Sequence, residues 1–268
     1  MIYDTILLTI AVLPVILLMI YIYRQDKYEK EPIGLLALAF FGGMLAIPLD
    51  FLVIYLIGLI IPPTDSVTYT AFLQAGIPEE LSKFAILMLI IWRNKNFNEY
   101  MDGIVYATFL GLGFASVENI GYVFDSEIGG FGTAFMRAML SVPGHFLFAV
   151  IMGYFLSMAK FNPGKKGLYL FLSFAVAALA HGLFDWLLMV TSSINAYASG
   201  LILIAFIALD IVLWRIGIRY IRRHQQSSQF KDSDDNGDNH DSFNDMDDFD
   251  NGGVAEYKSI DWDAGRRG

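Results

Sequence analysis

Seven long apolar stretches dominate the sequence and restrict the chain to one class of fold. Each runs for roughly 20 residues or more between polar breaks, the length that an α-helix needs to cross the hydrocarbon core of a bilayer. They cover residues 2–23, 33–61, 68–92, 102–124, 133–159, 167–190 and 196–220. Apolar residue types make up 56% of the 268 residues, above the usual share in a soluble domain. The sequence therefore predicts an all-α, polytopic membrane bundle of about seven transmembrane helices.

The basic residues predict the orientation of this bundle. Lys and Arg cluster in alternate connections, near residues 24–30, 93–95, 160–166 and 215–223, whereas the connections near 62–66, 125–132 and 191–195 contain none. Basic loops stay in the cytoplasm, so the pattern predicts an outside N-terminus and a cytoplasmic C-terminus in the cell membrane. The first stretch has no basic leader before it, which favours a retained span over a cleaved signal peptide.

The C-terminal segment differs in composition from the rest of the chain. Residues 231–268 account for most of the formal net charge of -9 and contain few apolar side chains. A segment of this kind cannot bury enough apolar surface to fold alone. We predict a transmembrane domain over residues 1–223 and a disordered, acidic cytoplasmic tail over residues 224–268.

Six of the ionisable residues inside the predicted spans are the candidates for chemistry. They are Glu79, Glu80, Glu118, His145, His181 and Asp185. Charged groups near the middle of a span cost at least about 2.5 kcal/mol each on insertion scales, so they need a partner or a purpose. At about 1.5 Å per residue, their depths fall within roughly 9 Å of one another on four helices. The sequence predicts that these helices line one polar cavity.

Local spacing and helix breakers support the same prediction. Residues four apart share a helix face, which pairs Glu79 with Lys83 and His181 with Asp185. In the second pair, the carboxylate can fix the tautomer of the imidazole. Pro78 and Pro143 lie just before Glu79 and His145, and a proline inside a span kinks the helix where protein or cavity water satisfies the freed carbonyl.

Structural interpretations of these residues remain open at this point. A Glu–Lys pair in a span is often a neutralised ion pair, and a single histidine in a bundle is often a hydrogen-bonded packing residue. Asp50 and Asp210 have no evident partner, and we assign them helix-packing roles. Arg137 is expected to extend toward the membrane surface or to pair with an acid.

Three strings resemble the PrsW family of intramembrane proteases. PEELSK at 78–83, FASVEN at 114–119 and HGLFD at 181–185 match the EExxK, FxxxE and HxxxD elements of that family, in order and on separate helices. His145 similarly lies on the helix between the second and third elements. The resemblance covers approximately residues 1–223, and the family is related in its motifs to the CAAX-processing membrane proteases. It implies an endopeptidase that makes the first, extracytoplasmic cut in a single-span anti-sigma factor or a similar regulator.

Other protease classes lack their characteristic residues here. The chain has no cysteine, which excludes a cysteine nucleophile, and it contains neither an HExxH helix nor a GxGD motif. Ser141 lies four residues before His145, but its context is not the GxSG of a rhomboid protease. We interpret that Ser–His spacing as coincidence.

The predicted chemistry is hydrolysis by an activated water. A glutamate of the Glu79/Glu80 pair takes a proton from the water, and His145 and His181 bind the water or stabilise the oxyanion. Asp185 orients His181, and Lys83 sets the charge of the Glu79/Glu80 pair. Glu118 and Asn119 complete the polar lining of the predicted cavity. The sequence equally allows a metal-dependent mechanism, in which His145, His181 and Glu118 hold a zinc ion. No nucleic-acid partner is expected.

Two other functions compete with this hypothesis. A proton- or ion-coupled transporter or channel also needs buried carboxylates and histidines. It would be expected to show repeated halves and charges that reach both membrane faces, and the sequence has no repeat at a fixed period. An inactive membrane scaffold is the third candidate, and the intact Glu79/Glu80 and His181/Asp185 pairs argue against it.

Overall fold

The computed structural model describes residues 1–191 and 195–228, and every regular element in those residues is helical. The long helices are α1 (Ile2–Gln25), α2 (Ile33–Ile60), α4 (Ile77–Ile91), α5 (Tyr100–Val123), α7 (Val142–Phe161), α8 (Lys166–Val190) and α9 (Ala196–Gln226). The short ones are α3 (Val67–Tyr69) and α6 (Phe131–Met136), two π-helical segments named π1 (Thr70–Gly76) and π2 (Arg137–Ser141), and a 3₁₀ turn (Pro163–Lys165).

The predicted membrane bundle is confirmed. Six helical segments are long and apolar enough to cross a bilayer, and they coincide with six of the seven predicted stretches. The remaining stretch, 68–92, folds as α3, π1 and α4 in direct succession. Helix α9 continues to Gln226, past the predicted end of the last span at 220 and the predicted start of the tail at 224. Residues 229–268, which make up most of the predicted tail, lie outside the described residues.

Helices α5 and α7 form the centre of the bundle. In α5, 78% of the most apolar window is buried inside the protein, against 17% in α2 and in α9. The outer helices present large apolar side chains away from the bundle, such as Leu45 and Tyr55 on α2. This is the distribution expected when lipid, which is as apolar as these side chains, surrounds the outer helices.

Glycines allow helices to pack in backbone contact at two crossings, next to the helices that carry the candidate residues. A Cβ atom on Gly43 of α2 would lie 1.9 Å from the carbonyl oxygen of Leu110 on α5. Likewise, a Cβ atom on Gly76 of π1 would lie 2.7 Å from the backbone nitrogen of Gly182 on α8. Only a residue without a side chain permits such contacts. The backbones of α2 and α5, and of π1 and α8, are therefore held together without intervening side chains.

The loops 26–32 and 92–99 lie at one end of the bundle, which we call the basic-loop end, and carry buried carboxylates. Glu99 is the N-cap residue of α5, its side chain is buried, and it accepts a hydrogen bond from the Ser228 hydroxyl. Burial raises the pKa of Glu99 to about 8, against the lowering effect of that hydrogen bond, and the carboxylates of Asp102 and Asp26 add to the rise. Burial likewise raises the pKa of Asp26 to about 6.

These carboxyl groups should make the fold less stable as the pH rises. A group whose pKa is higher in the folded than in the unfolded state binds its proton more tightly in the folded state, so its contribution is lost as the pH approaches the folded-state pKa. For Glu99 this window runs from about pH 4.3 to about pH 8. We expect the unfolding temperature in detergent to fall across this range, and Glu99→Gln to reduce the slope. An unchanged slope in the variant would contradict this assignment.

Candidate active site

Two π-helical segments precede the helices that carry Glu79 and His145. Pro78 and Pro143 each lie within the first two residues of an α-helix, where a proline lacks the N–H and crowds the carbonyl four residues earlier. The preceding turn widens in both places. The N–H of Ile77 bonds to the carbonyl of Phe72 and that of Val142 to Arg137, five residues back. The local sequence thus creates the irregular backbone next to the buried polar groups.

The two adjacent glutamates contact one lysine. Glu79 and Glu80 begin α4, and Lys83 lies one turn further on the same helix. Its Nζ atom is 3.1 Å from Glu79 Oε2 and 2.8 Å from Glu80 Oε1, and all three residues are buried. Lys83 also lies 4.1 Å from the centre of the Phe114 ring. A buried ammonium between two carboxylates offsets much of their desolvation cost.

Two histidines from other helices complete this cluster. His145 of α7 and His181 of α8 are buried, with ring centres 5.1 Å apart. The Nδ1 atom of His145 lies 3.1 Å from Lys83 Nζ, and that of His181 lies 2.9 Å from Glu80 Oε1. Three helices, α4, α7 and α8, therefore converge on one polar centre.

The Nε2 atom of each imidazole, which faces away from the polar centre, contacts a carboxylate. The Nε2 atom of His145 is 2.7 Å from Glu118 Oε2 of α5, and that of His181 is 3.4 Å from Asp185 Oδ2. Because the Lys83 ammonium can only donate, Nδ1 of His145 accepts and its proton is on Nε2, directed at Glu118. Both rings thus turn Nδ1 toward the polar centre and Nε2 toward an orienting carboxylate.

Glu118 is itself held by an arginine from π2. Arg137 Nη2 lies 3.0 Å from Glu118 Oε2, and Arg137 Nε donates to Asn119 Oδ1 at 3.0 Å. The Asn119 amide in turn donates to the carbonyl of Ala11 in α1. This chain of contacts connects the polar centre to the outer helix α1.

A cavity of about 340 Å³ adjoins the polar centre, and we call it the chamber. Glu79, Glu118, Arg137, His145, His181 and Asp185 all line it, together with Gln74, Ser141 and several apolar residues. Glu80 does not line it, and this residue is only 1% exposed. The chamber has the mixed polar and apolar wall that a peptide group with its flanking side chains requires.

The residues at the polar centre are of the kind that hold a divalent metal ion, and the Lys83 ammonium contacts three of them, Glu79, Glu80 and His145. Glu79, Glu80, His145 and His181 each offer a ligand atom, and these atoms lie within 4.8 Å of one another. Imidazoles with carboxylates form the donor set of catalytic zinc sites. Glu80 Oε2 is buried and has no hydrogen-bond partner in the described part of the chain, so it is available to a cation. The predicted zinc set contained Glu118, whereas in the structure this residue lies outside the group and orients His145.

The structure brings the predicted site residues together. Seven of them meet at or around the polar centre: Glu79, Glu80, Lys83, Glu118, His145, His181 and Asp185. Asn119 is connected to the site through Arg137. Ser141 lines the chamber, but the ring nitrogens of His145 face Lys83 and Glu118, so no Ser–His pair is found here.

Sequence reasoning named Arg137 without its partner and missed other polar residues of the chamber. Arg137 was expected to pair with an acid or extend to the surface, and its actual partner, Glu118, could not be identified from spacing. Gln74 and Tyr122 line the chamber and gave no signal, because uncharged polar residues are common in spans. Only the rotational position of each helix, which tertiary packing determines, could have identified them.

Residues 31–213 match the model of a family described as PrsW family intramembrane metalloprotease. The chain is 33% identical to the Protease PrsW of Clostridioides difficile over 228 residues, which cover 83% of this chain and 93% of that protein. It is 36% identical to the Protease PrsW of Oceanobacillus iheyensis over 223 residues, covering 83% and 97%. For the Protease PrsW of Bacillus subtilis the identity is 33%, covering 81% and 94%. No solved structure matches the chain.

Proposed function

Because the chain belongs to the PrsW family of intramembrane proteases, we propose that it hydrolyses a peptide bond of a membrane-anchored protein with a water molecule activated by Glu79. The observation that supports this choice is the difference between the two adjacent glutamates. Glu79 lines the chamber, whereas Glu80 is almost fully buried behind it and contacts both Lys83 and His181. Glu79 is thus the carboxylate that a water in the chamber can reach.

The proposed reaction uses Glu79 first as a base and then as an acid. Its carboxylate takes a proton from the water while the water oxygen bonds to the scissile carbonyl carbon. Glu79 then gives that proton to the amide nitrogen as the carbon–nitrogen bond breaks, which releases a carboxylic acid and an amine. Lys83 contacts Glu79 and Glu80, and while both carboxylates are ionised its ammonium reduces the net charge of the three side chains to that of a single carboxylate.

Glu80, His145 and His181 are the residues that would hold a metal ion beside Glu79, with Glu118 and Asp185 orienting the two histidines. A zinc ion supplies Lewis-acid polarisation of the carbonyl when bound. Three protein ligands would match the number found in catalytic zinc sites, which keep one position open.

The proposed substrate is a single-span membrane protein such as an anti-sigma factor. The chamber is lined by Thr70 and Met189, which lie near the ends of π1 and α8 that are remote from the basic-loop end. The positive-inside rule puts this side outside the cytoplasm, which agrees with a first, extracytoplasmic cut. The transporter alternative is not favoured, because the family matched by the chain is a protease family.

A cleavage assay in lipid vesicles tests the proposed function. The purified protein is incubated with tagged single-span anti-sigma factors, and the products are separated by gel electrophoresis and identified by mass spectrometry. We expect cleavage by the wild type, at least a hundredfold slower cleavage by His181→Ala, and unchanged cleavage by Asp210→Asn, a residue of α9 that does not line the chamber. Equal cleavage by wild type and His181→Ala would refute the proposal.

A further inference from the structure

A second cavity lies beside the chamber and opens between α2 and α5. We call this cavity, of about 480 Å³, the α2–α5 cleft. Gln74, Glu79, Glu118 and Tyr122 line both the chamber and the cleft, so the two spaces meet at the proposed base. A polypeptide whose scissile bond lies at Glu79 therefore has room on both sides of that bond.

The cleft has an apolar wall that reaches the outside of the bundle. Ile47, Phe51 and Ile54 contribute one face of α2, at the spacing of successive helical turns, opposite Phe114 and Val117 of α5. Phe51 is 66% exposed, on a helix whose outer surface is apolar. The cleft is thus open in the direction from which a membrane-anchored substrate arrives.

One oxygen of a carboxyl group in this apolar wall has no hydrogen-bond partner among the described residues. Asp50 on α2 lines the cleft and is 7% exposed, and its Oδ1 atom is buried without a hydrogen bond in the described part of the chain. No Lys, Arg or His among the described residues lies within ion-pair distance of it. An unpaired carboxyl group at this depth costs about 2.5 kcal/mol or more. Helix packing, the role assigned from sequence, leaves this buried oxygen without a donor, and its carboxyl group lies in the lining of a cavity.

The chemistry of the expected substrate supplies the missing donor. A helix must unwind locally before its backbone can reach a catalytic group, and unwinding frees N–H groups that find no water in the hydrocarbon region. A buried carboxyl group can accept such a bond, and apolar pockets around it can take the adjacent side chains.

We propose that Asp50 is a substrate-binding residue that accepts a hydrogen bond from the backbone N–H of the unwound substrate segment next to the scissile bond. The α2–α5 cleft holds that segment, with apolar side chains against Ile47, Ile54 and Val117. This inference rests on the proposed protease function. It assigns Asp50 to binding and not to the chemical step.

Steady-state kinetics in lipid vesicles test the role of Asp50. Asp50→Leu removes the acceptor and is expected to raise KM about tenfold with little change in kcat. Asp50→Asn keeps an acceptor oxygen and is expected to restore a KM near that of the wild type. An unchanged KM in Asp50→Leu overturns the proposal. If Asp50→Asn behaves like Asp50→Leu, the negative charge is required and the backbone N–H is not the partner, which also overturns it.

A crosslinking experiment measures occupancy of the cleft without hydrolysis. Because the chain has no cysteine, single cysteines can be introduced on α2 without background. Phe51→Cys faces the cleft, whereas Leu52→Cys is a matched control, similarly exposed at 50% but outside the cleft lining. Disulfide formation with a cysteine placed near the substrate's cleavage site is expected for Phe51→Cys only. Equal crosslinking at both positions overturns the inference, whereas absence of cleavage by the wild type would overturn the protease proposal itself.

Discussion

Glu79→Gln is expected to lower kcat for substrate cleavage by roughly a thousandfold or more, and to leave KM within a few fold of the wild type. Glutamine keeps the size and the hydrogen-bonding oxygen of the side chain but cannot take a proton from water. Glu79 lines the chamber, and its contact with Lys83 is longer than that of Glu80. The fold should therefore tolerate this change. The measurement is single-turnover cleavage of a tagged single-span substrate in vesicles.

The control for this prediction is Glu127→Gln, which makes the same chemical change at an exposed site in the α5–α6 connection. We expect this variant to cleave at the wild-type rate. If Glu79→Gln retained more than about a tenth of the wild-type kcat, Glu79 would not be the general base, since such a base typically contributes a hundredfold or more.

Lys83→Met is expected to produce the largest loss of stability of any single change at the site. The substitution leaves the carboxylates of Glu79 and Glu80 buried without the ammonium that lies 3.1 Å and 2.8 Å from them. Removing one partner of a buried ion pair costs about 3–5 kcal/mol, because the remaining charge is uncompensated. The measurement is thermal or denaturant unfolding in detergent.

A double variant separates this cause from a simple packing effect. Lys83→Met combined with Glu80→Gln removes one negative charge as well as the ammonium, and we expect it to recover part of the lost stability. Lys165→Met, an exposed lysine in the turn before α8, is the control and should unfold like the wild type. If the double variant were less stable than Lys83→Met alone, the charge explanation would be wrong.

The parts of the site that follow from local spacing could be predicted from the sequence. Glu79 and Lys83 are one helical turn apart, and His181 and Asp185 are likewise, so their contacts depend only on the geometry of one helix. The similar depth of the ionisable residues in the membrane correctly predicted that α4, α5, α7 and α8 contribute to one site. Length and apolarity of the stretches were sufficient for the helical bundle itself.

The parts that depend on helix rotation could not be predicted. Whether Glu118 faces Glu79, Glu80 and the inner nitrogens of the histidines, or the outer nitrogen of His145, is determined by how α5 packs between α2 and α7. The pairing of Arg137 with Glu118, and the place of Asp50 in the lining of the α2–α5 cleft, depend on the same packing. Proline at 78 and 143 predicted a kink, but the sequence did not specify that each irregular turn would be π-helical.

Hydrolysis in water enriched in oxygen-18 tests the central claim most directly. The wild type is incubated in vesicles with a single-span substrate, and the mass of the newly formed C-terminus is determined beside a parallel reaction with Glu79→Gln. The account predicts that the wild type yields a fragment carrying one heavy oxygen atom and that the variant yields essentially none of this fragment. Fragments without heavy oxygen, or the same amount of labelled fragment from both proteins, would contradict it.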